Sequence, residues 1–318
     1  MKAVVQNAYG SGEVFELKEV AKPSIREDDV LVRVHAAAVN AGDAFVMKGR
    51  PWPVRFVAGF PRPRNRILGW DAAGRVEAVG IKVTRFKPGD EVFGVCEHAF
   101  AEYVRAGEDG LATKPANLTF EQAAAVPTAA LTALQGLRDQ GRVRPGQRVL
   151  INGAAGGVGT FAVQIAKEFG AEVTGVCSTM NVDMVLSIGA DHVIDYTHED
   201  FVAGGPRYDV ILDNVANRSL SDLRRALTPR GILIPNSGHG GMGYVVKAAV
   251  LSVFLRKQGG LFITRTDHDD LVLLKDLNES GRIAPVVDRI YPLRETPAAV
   301  EYVGRGHARG KVVISVAR

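Results

Sequence analysis

The sequence predicts an α/β protein with a β-rich domain and a second domain built on a doubly wound parallel sheet. The chain has 318 residues, more than the about 250–300 at which a single hydrophobic core stops growing, so two domains are expected. Residues 1–120 carry short apolar runs, whereas residues 148–235 alternate strand patterns with helix patterns. That alternation is typical of a parallel sheet with helices on both faces.

The β-rich part is defined by alternating segments and turns. Residues 30–34 and 74–79 alternate apolar and polar side chains at period two, and residues 87–90 form a Pro-Gly turn signal. Residues 311–316 again have strand character.

The second part begins at a helix signal. Thr119 and Gln122 have the spacing of a capping box, which predicts a helix to about Arg138 with an interruption near Pro127. Strands are predicted at 148–152, 172–177, 192–194, 208–213 and 231–235, with helices at 158–169 and 182–188.

Composition and charge limit the class of protein. The net charge is +4, and no long basic stripe with interleaved aromatics extends beyond residues 50–66, so we expect no nucleic-acid partner. Cys96 and Cys177 are the only cysteines, which argues against a disulfide framework. Residues 1–6 lack the apolar core of a signal peptide, and residues 244–255 are too short to span a membrane. We therefore expect a soluble, cytoplasmic protein without a membrane partner.

The glycine-rich turn at residues 153–159 is the strongest functional signal. It follows a buried strand and begins a helix, as a pyrophosphate-binding turn requires. Gly156 allows the backbone to approach phosphate, Gly159 allows close packing of helix on strand, and the helix N-terminus supplies free N–H groups. A glycine-rich turn without a ligand is the alternative interpretation.

The end of the next strand indicates which dinucleotide binds. Proteins that bind NAD usually have a carboxylate there for the ribose 2′-hydroxyl, whereas this chain has Cys177 followed by Ser178 and Thr179. Without a carboxylate in the sequence at this point, NADPH is favoured, and NADH remains possible because no Arg or Lys lies between Gly175 and Asp183. Cys177 itself is expected to be buried and inert.

The chain resembles the medium-chain dehydrogenase/reductase superfamily in its zinc-free quinone oxidoreductase branch. The resemblance extends over nearly the whole chain and includes the cofactor turn. Its motifs are residues 39–43, 68–74, 86–92, 100–104, 154–159, 189–196 and 306–313. It implies a GroES-like catalytic domain at 1–120, completed by 266–318, and a Rossmann dinucleotide-binding domain at 121–265. It also implies a cleft between the domains and a homodimer.

The resemblance can also be checked for zinc. Asn40 stands at the first cysteine ligand position of the zinc enzymes, Trp70 at the histidine position, and no cysteine lies near Thr128, where the third ligand is expected. Two cysteines cannot form either zinc site of the superfamily. We therefore expect no metal.

The resemblance assigns roles to particular residues. Asn40, Asp43 and Thr132 are the catalytic candidates, and Met47, Trp52 and Trp70 would line the substrate cleft. The cofactor-binding candidates are Asn40, Thr128, Thr132, Ala155, Gly156, Gly157, Val158, Ser178, Thr179, Asn181, Tyr196, Asn214, Val215, Ser237, Gly238 and Lys311. As alternatives, Asp43 caps a turn, Trp52 covers a core, and Lys311 is a solvated lysine at a strand edge.

The expected reaction is hydride transfer from NADPH to a small conjugated carbonyl compound, such as a quinone or an enone. Without a metal, hydrogen-bond donors at the carbonyl oxygen would stabilise the enolate. Two alternatives stay open, a zinc-independent alcohol or carbonyl dehydrogenase and a noncatalytic NADPH-binding protein.

A basic loop leads to a separate hypothesis. Arg50, Arg55, Arg62, Arg64 and Arg66 crowd residues 50–66 and would attract an anionic substrate. The alternative is a solvated loop whose charges are countered locally.

Overall fold

The computed structural model describes residues 1–237 and 263–316. The chain forms two compact units: unit 1 comprises Met1–Leu131 with Arg265–Arg318, and unit 2 comprises Thr132–Thr264. The sequence analysis placed the boundaries at 120/121 and 265/266. The first boundary lies eleven residues later in the structure, because the short helix that begins at Phe120 packs against strands of unit 1.

The elements follow the predicted order. The strands are β1 (Lys2–Gln6), β2 (Phe15–Glu19), β3 (Asp29–Val39), β4 (Asp71–Val79), β5 (Glu91–Val95), β6 (Tyr103–Gly107), β7 (Leu111–Thr113), β8 (Arg148–Asn152), β9 (Glu172–Cys177), β10 (His192–Asp195), β11 (Tyr208–Asp213), β12 (Leu227–Pro235), β13 (Val287–Pro292) and β14 (Lys311–Ser315). The helices are α1 (Ala41–Lys48), α2 (Val54–Ala58), α3 (Phe120–Ala124), α4 (Pro127–Gln135), α5 (Gly157–Glu168), α6 (Val182–Ser187), α7 (Leu220–Arg225), α8 (His268–Glu279) and α9 (Thr296–Gly304).

Unit 1 is built on a seven-stranded sheet. Its strand order is β13-β14-β3-β4-β5-β7, with β6 also paired to β3, and β1 and β2 form a separate pair. β14 pairs antiparallel with β3, so that Val312 lies opposite Val39. The C-terminal segment therefore completes a sheet that the N-terminal segment begins. Val34, Phe93 and Phe100 are among the fully buried core side chains.

Unit 2 contains the parallel sheet that the sequence predicts. Its order is β10-β9-β8-β11-β12, and every described pairing is parallel. This is the doubly wound arrangement, in which chain direction across the sheet reverses beside the first strand, β8. The sheet core includes Leu150, Val176 and Ile211, all without solvent exposure.

The helix predicted after Thr119 forms in two pieces, as expected from Pro127. The Thr119 hydroxyl accepts the N–H of Gln122 at 3.2 Å, and the Gln122 side chain accepts the N–H of Thr119 at 3.0 Å. This confirms the capping box. One turn of π-helix over Gly136–Gln140 continues α4 beyond the predicted end near Arg138. Within the described residues, no helix combines the length and apolarity that crossing a bilayer requires.

Candidate active site

The nucleotide turn of unit 2 has the geometry that a pyrophosphate site requires. The N–H groups of Gly153 and Ala154 bond to the Val176 carbonyl, which ties the turn to β9. The first backbone hydrogen bond of α5 runs from Thr160 N–H to the Gly156 carbonyl at 2.9 Å. The N–H groups at 157–159 thus precede the helical hydrogen-bond ladder and can be donated to an anion.

Two glycines of this turn are required for different reasons. A Cβ at Gly159 would lie 2.0 Å from the Gly153 carbonyl oxygen and 2.8 Å from Ala154 backbone, so only glycine fits. Among the described residues, a Cβ at Gly156 would meet only the Gly153 oxygen, at 3.4 Å. Gly159 therefore serves the fold, whereas the surface over Gly156 is free to receive a phosphate. The residues present fit a dinucleotide.

A carboxylate that sequence reasoning missed lies beside the end of β9. Thr179 donates its hydroxyl to Asp195 at 2.5 Å, and Asn181 Nδ2 donates to the Ser178 hydroxyl at 3.1 Å. Hydrogen bonds from Thr179 and Thr197 lower the pKa of Asp195 to about 2, so it is ionised at neutral pH. The sequence places Asp195 at the end of the next strand, β10, but the parallel sheet brings it beside Thr179. Tyr196 follows it and is half exposed.

A second polar cluster of unit 2 surrounds the end of β11. Asp213 is fully buried and accepts Asn152 Nδ2 at 2.7 Å and the N–H of Val215 at 3.2 Å. Asn214 Nδ2 donates to the Asn152 carbonyl at 3.2 Å. This cluster fixes Asn214 and Val215 near the end of β8. Ser237 is buried, and Gly238 lies outside the described residues.

Unit 1 contains a buried cluster around Asp71. Asn40 Nδ2 donates to Asp71 Oδ2 at 2.9 Å, and Lys311 Nζ donates to Asn40 Oδ1 at 2.6 Å and lies 3.4 Å from Asp71 Oδ2. Asp71 Oδ1 accepts the Thr128 N–H at 3.0 Å and the Thr128 hydroxyl at 2.5 Å. The structure thus brings together Asn40, Thr128 and Lys311 through a residue that the sequence analysis did not single out. Asp71 was quoted only as part of a family motif.

The position of Lys311 corrects one interpretation. The sequence allows two interpretations of Lys311, a solvated lysine at a strand edge or a ligand of the cofactor phosphate. It is 3% exposed, and its strand β14 lies between β13 and β3. Lys311 is therefore neither solvated nor at an edge, and its ammonium is directed at Asn40 and Asp71.

Asp43 lies beneath this cluster and has no exposed surface. Its two oxygens accept the backbone N–H groups of Asn40 at 2.8 Å and Gly69 at 3.0 Å. Burial raises its pKa to about 7, against the lowering by these two backbone hydrogen bonds. Such a residue supports the backbone that carries Asn40, and this geometry favours the turn-capping alternative over contact with substrate.

The three substrate-cleft candidates occupy different environments in unit 1. Met47 is completely buried in the core, which leaves its cleft assignment without support. Trp52 is 55% exposed and packs edge-on against Phe56, which gives little support to the alternative that it covers a core. Trp70 is half-buried and borders a cavity of about 940 Å³ in unit 1.

Thr132 and the arginine loop complete the set of predicted residues. Thr132 belongs to unit 2 and shares a 2.8 Å hydroxyl hydrogen bond with Thr264. In the part of the chain that the structure describes, none of the five loop arginines forms an ion pair with a carboxylate. Arg55 donates to the Gly49 carbonyl and Arg66 to the Asn7 side chain. Direct ion pairs with carboxylates of the described residues therefore do not support the alternative that the loop charges are countered locally.

The comparisons agree with this architecture. Residues 26–136 match the alcohol dehydrogenase GroES-like domain, and residues 188–314 match the zinc-binding dehydrogenase family. The chain is 35% identical to 2-methylene-furan-3-one reductase of Solanum lycopersicum, over 99% of this chain and 79% of that protein. It belongs to the medium-chain dehydrogenase/reductase superfamily.

Other relatives place it within the superfamily. The chain is 34% identical to the chloroplastic NADPH-dependent alkenal/one oxidoreductase of Arabidopsis thaliana, over 99% of this chain and 79% of that protein. The quinone oxidoreductase structure from Coxiella burnetii superposes with a TM-score of 0.88 at 30% identity, covering 100% of this chain and 99% of that one. The expected fold is confirmed, and the chain falls in the zinc-free branch.

One matching family is named for zinc binding, whereas Asn40, Trp70 and Thr128 stand at or near the positions of the zinc ligands in this chain. Asn40 and Thr128 already bond to Asp71, and Trp70 offers no lone pair for a metal. Among residues 1–237 and 263–316, no three His, Cys, Asp or Glu side chains are grouped so that they could hold a metal ion. The residues at these positions do not fit zinc.

Proposed function

We propose that this protein is a zinc-independent, NADPH-dependent reductase of small conjugated carbonyl compounds, namely quinones or α,β-unsaturated ketones, aldehydes or thioesters. The observation that carries the proposal is the Asn40 amide. Its oxygen is occupied by Lys311 and one of its N–H bonds by Asp71. The other N–H bond is not used by a hydrogen bond to any described residue, and since Asn40 is half-buried, it can be donated to a carbonyl oxygen.

This arrangement suits reduction of a conjugated double bond. A bound nicotinamide would supply the hydride that the β-carbon of the substrate accepts. Negative charge then develops on the carbonyl oxygen, and a fixed hydrogen-bond donor stabilises it more strongly than the neutral ground state. Asn40 would be that donor, and a proton from water or a nearby acid would then neutralise the enolate. Asp43 would keep the Asn40 backbone in place, since it accepts the N–H of that residue.

NADPH is the cofactor we propose, with NADH as a weaker alternative. Support comes from the end of β9, which carries no carboxylate of its own and offers Ser178 and Asn181 as donors. Asp195 disfavours NADPH, because it accepts the Thr179 hydroxyl and adds negative charge that would repel a 2′-phosphate. We therefore expect a modest preference for NADPH. The name of the Arabidopsis relative, which specifies NADPH, supports the same choice.

The test is a panel of an enone, a quinone and a primary alcohol, assayed with both nicotinamide cofactors. We expect turnover of the enone or the quinone with NADPH and none of the alcohol. Asn40→Ala should lower kcat about 100-fold, as removal of one transition-state donor typically does. Asn117→Ala, which changes an exposed asparagine of unit 1, is the control.

Two outcomes would reject this function. Turnover of the alcohol alone would favour the alternative of a zinc-independent alcohol dehydrogenase. Binding of NADPH without turnover of any electrophile would favour a noncatalytic NADPH-binding protein.

For location and assembly we propose a cytoplasmic homodimer. Two buried free cysteines, Cys96 and Cys177, suit a reducing compartment. Burial raises the pKa of Cys177 to about 11, as expected for an inert thiol. The Arabidopsis relative is chloroplastic, so cell fractionation is the test of location. Light scattering on the purified protein tests the dimer, and a monomer mass would reject it.

A further inference from the structure

Lys311 and Asp71 form an ion pair in the interior of unit 1. Their side chains are 3% and 0% exposed. Removing two charges from water costs several kcal/mol for each ion, and the 3.4 Å separation from Lys311 Nζ to Asp71 Oδ2 is long for a strong pair. Stability alone is therefore a poor explanation for this pair. The shortest contact of the ammonium is with Asn40 Oδ1.

The two charges together determine how the Asn40 amide is turned. An ammonium has only donors and an ionised carboxylate only acceptors. Lys311 lies on the oxygen side of the amide and Asp71 on the nitrogen side. If the amide rotated by half a turn, its N–H groups would face the ammonium and its oxygen would face the carboxylate. Only one orientation satisfies both neighbours.

The same contact strengthens Asn40 as a donor. A charged donor on the amide oxygen draws electron density from the nitrogen, so the remaining N–H bond becomes more polar. The effect is largest where water is excluded, and Lys311 is almost fully buried. The cation therefore acts on a substrate oxygen through the amide and not by direct contact.

We propose that Lys311 is a positioning residue that orients and polarises the Asn40 amide, and that it is not a ligand of the cofactor phosphates. This rests on the proposed function, because it assigns the oriented N–H to the carbonyl oxygen of the substrate. Asp71 also contributes to this arrangement, since its other oxygen accepts hydrogen bonds from Thr128 at the start of α4. Residues from four separate segments are thereby joined by one buried pair.

The kinetic test compares Lys311→Met, Lys311→Arg and the control Lys114→Met. Lys114 is also a buried lysine of unit 1, with a side chain 8% exposed, 3.4 Å from Glu91, and it touches no residue of the cluster. We expect Lys311→Met to lower kcat about 30-fold while the Kd for NADPH changes less than twofold, because the transition-state donor is lost and the cofactor contacts are not. Lys311→Arg should recover part of kcat, and Lys114→Met should keep it within twofold.

Two kinetic results would overturn the proposal. A phosphate ligand would instead show a Kd for NADPH at least tenfold higher in Lys311→Met, dependent on salt, with kcat retained. An equal loss of kcat in Lys114→Met would mean that the loss in Lys311→Met reflects general destabilisation of unit 1.

A spectroscopic test separates this proposal from the proposed function. In protein labelled with ¹⁵N-asparagine, the side-chain amide signal of Asn40 is identified by its loss in Asn40→Ala. We expect Lys311→Met to shift that signal and to speed its exchange with water, while Lys114→Met leaves it in place. An unchanged signal would reject the positioning role whatever the activity. A shifted signal in a protein that reduces no substrate would reject the function and retain the positioning role.

Discussion

The two polar regions of this molecule are constructed in opposite ways. The nucleotide turn of unit 2 offers an anion the backbone N–H groups of three consecutive residues, 157–159, and its decisive feature is the absence of side chains at Gly156 and Gly159. The cluster of unit 1 consists of side chains, and its hydrogen bonds join residues 31, 57 and 271 positions apart.

This difference determines how each region should respond to substitution. In the turn, an added methyl group is harmful because it occupies space that backbone or phosphate needs. In the cluster, a removed or altered polar atom is harmful because its partners stay buried and unpaired. The turn should therefore be sensitive to the size of a substituted side chain. The cluster should be sensitive to the charge and protonation state of its side chains.

The largest expected effect separates the two glycines of the turn. Gly159→Ala forces a Cβ to within 2.0 Å of the Gly153 oxygen, and overpacking of this kind costs about 1–3 kcal/mol or more. We expect the melting temperature to fall by about 10 °C. Gly156→Ala should melt within about 2 °C of wild type, yet bind NADPH at least tenfold more weakly, because its methyl group covers the phosphate surface.

Calorimetry and NADPH titration measure both quantities. Equal melting temperatures for the two variants would contradict the assignment of Gly159 to the fold. Unchanged NADPH affinity in Gly156→Ala would show that the cofactor phosphate does not bind at the surface over Gly156.

The next effect concerns protons in the cluster. Asp43 has an ordinary pKa of 3.8 and a folded pKa of about 7, so the folded state binds more protons between these values. The stability from Asp43 is full below about pH 4 and is lost as pH rises through 7. Asp43→Asn should lower stability by about 1–3 kcal/mol by mispairing a backbone N–H, and its deficit relative to wild type should shrink from pH 5 to pH 8.

Urea unfolding followed by tryptophan fluorescence reports on the right unit, because Trp52 and Trp70 are the only tryptophans and both lie in unit 1. Asp28→Asn, at an exposed carboxylate, should show a difference from wild type that is flat with pH. A deficit for Asp43→Asn that grows with pH would mean that the ionised form stabilises the fold.

A smaller effect tests whether the nucleotide region also depends on a side-chain charge. Asp195→Asn removes a carboxylate beside Thr179, so repulsion of a 2′-phosphate should fall. We expect the ratio of NADPH to NADH affinity to rise about fivefold, the upper range for one charge at the protein surface. Glu199→Gln removes an exposed charge from the loop after β10 and should leave the ratio unchanged. An unchanged ratio in Asp195→Asn would place the 2′-phosphate elsewhere.

The smallest expected effect is that of substitutions in the arginine loop, whose charges would attract the substrate without contacting it. Replacing Arg62 and Arg64 by Gln should weaken binding of a carboxylated enone about twofold at low salt and leave a neutral enone unaffected, because exposed charges are screened. Arg230→Gln, an exposed arginine of unit 2, is the control. Equal effects on both enones, or no dependence on salt, would reject electrostatic attraction of the substrate.

The sequence predicted what depends on neighbouring residues. The strand at 148–152, the turn at 153–159 and the capping box at Thr119 were predicted correctly, since an apolar run, a glycine-rich stretch and the Thr119–Gln122 spacing are each visible within a few residues of sequence. The parallel pairing of the unit 2 strands also follows from strand–helix alternation.

What the sequence missed depends on long-range contact. Asp195 is 16 residues from Thr179, and only the parallel pairing of β9 and β10 shows that they meet. Lys311 has the pattern of an exposed strand residue until β3 is placed beside β14. Asp71 carried a weak signal, since an acid at the start of an apolar strand is unusual in a buried sheet. A search for such acids would have singled it out.

The return of the C-terminal strand to the first sheet has a consequence for synthesis. Unit 2 is contiguous in the chain, so it can fold as soon as it leaves the ribosome. Lys311 is synthesised 240 residues after Asp71. Translation of that stretch takes about 12–48 s at about 5–20 residues per second, and the ion pair cannot form before then. During that time the nascent sheet lacks β14 on its open edge and has a carboxylate without its cation. Chaperones that bind unpaired strand edges would encounter unit 1 while its sheet still lacks β14.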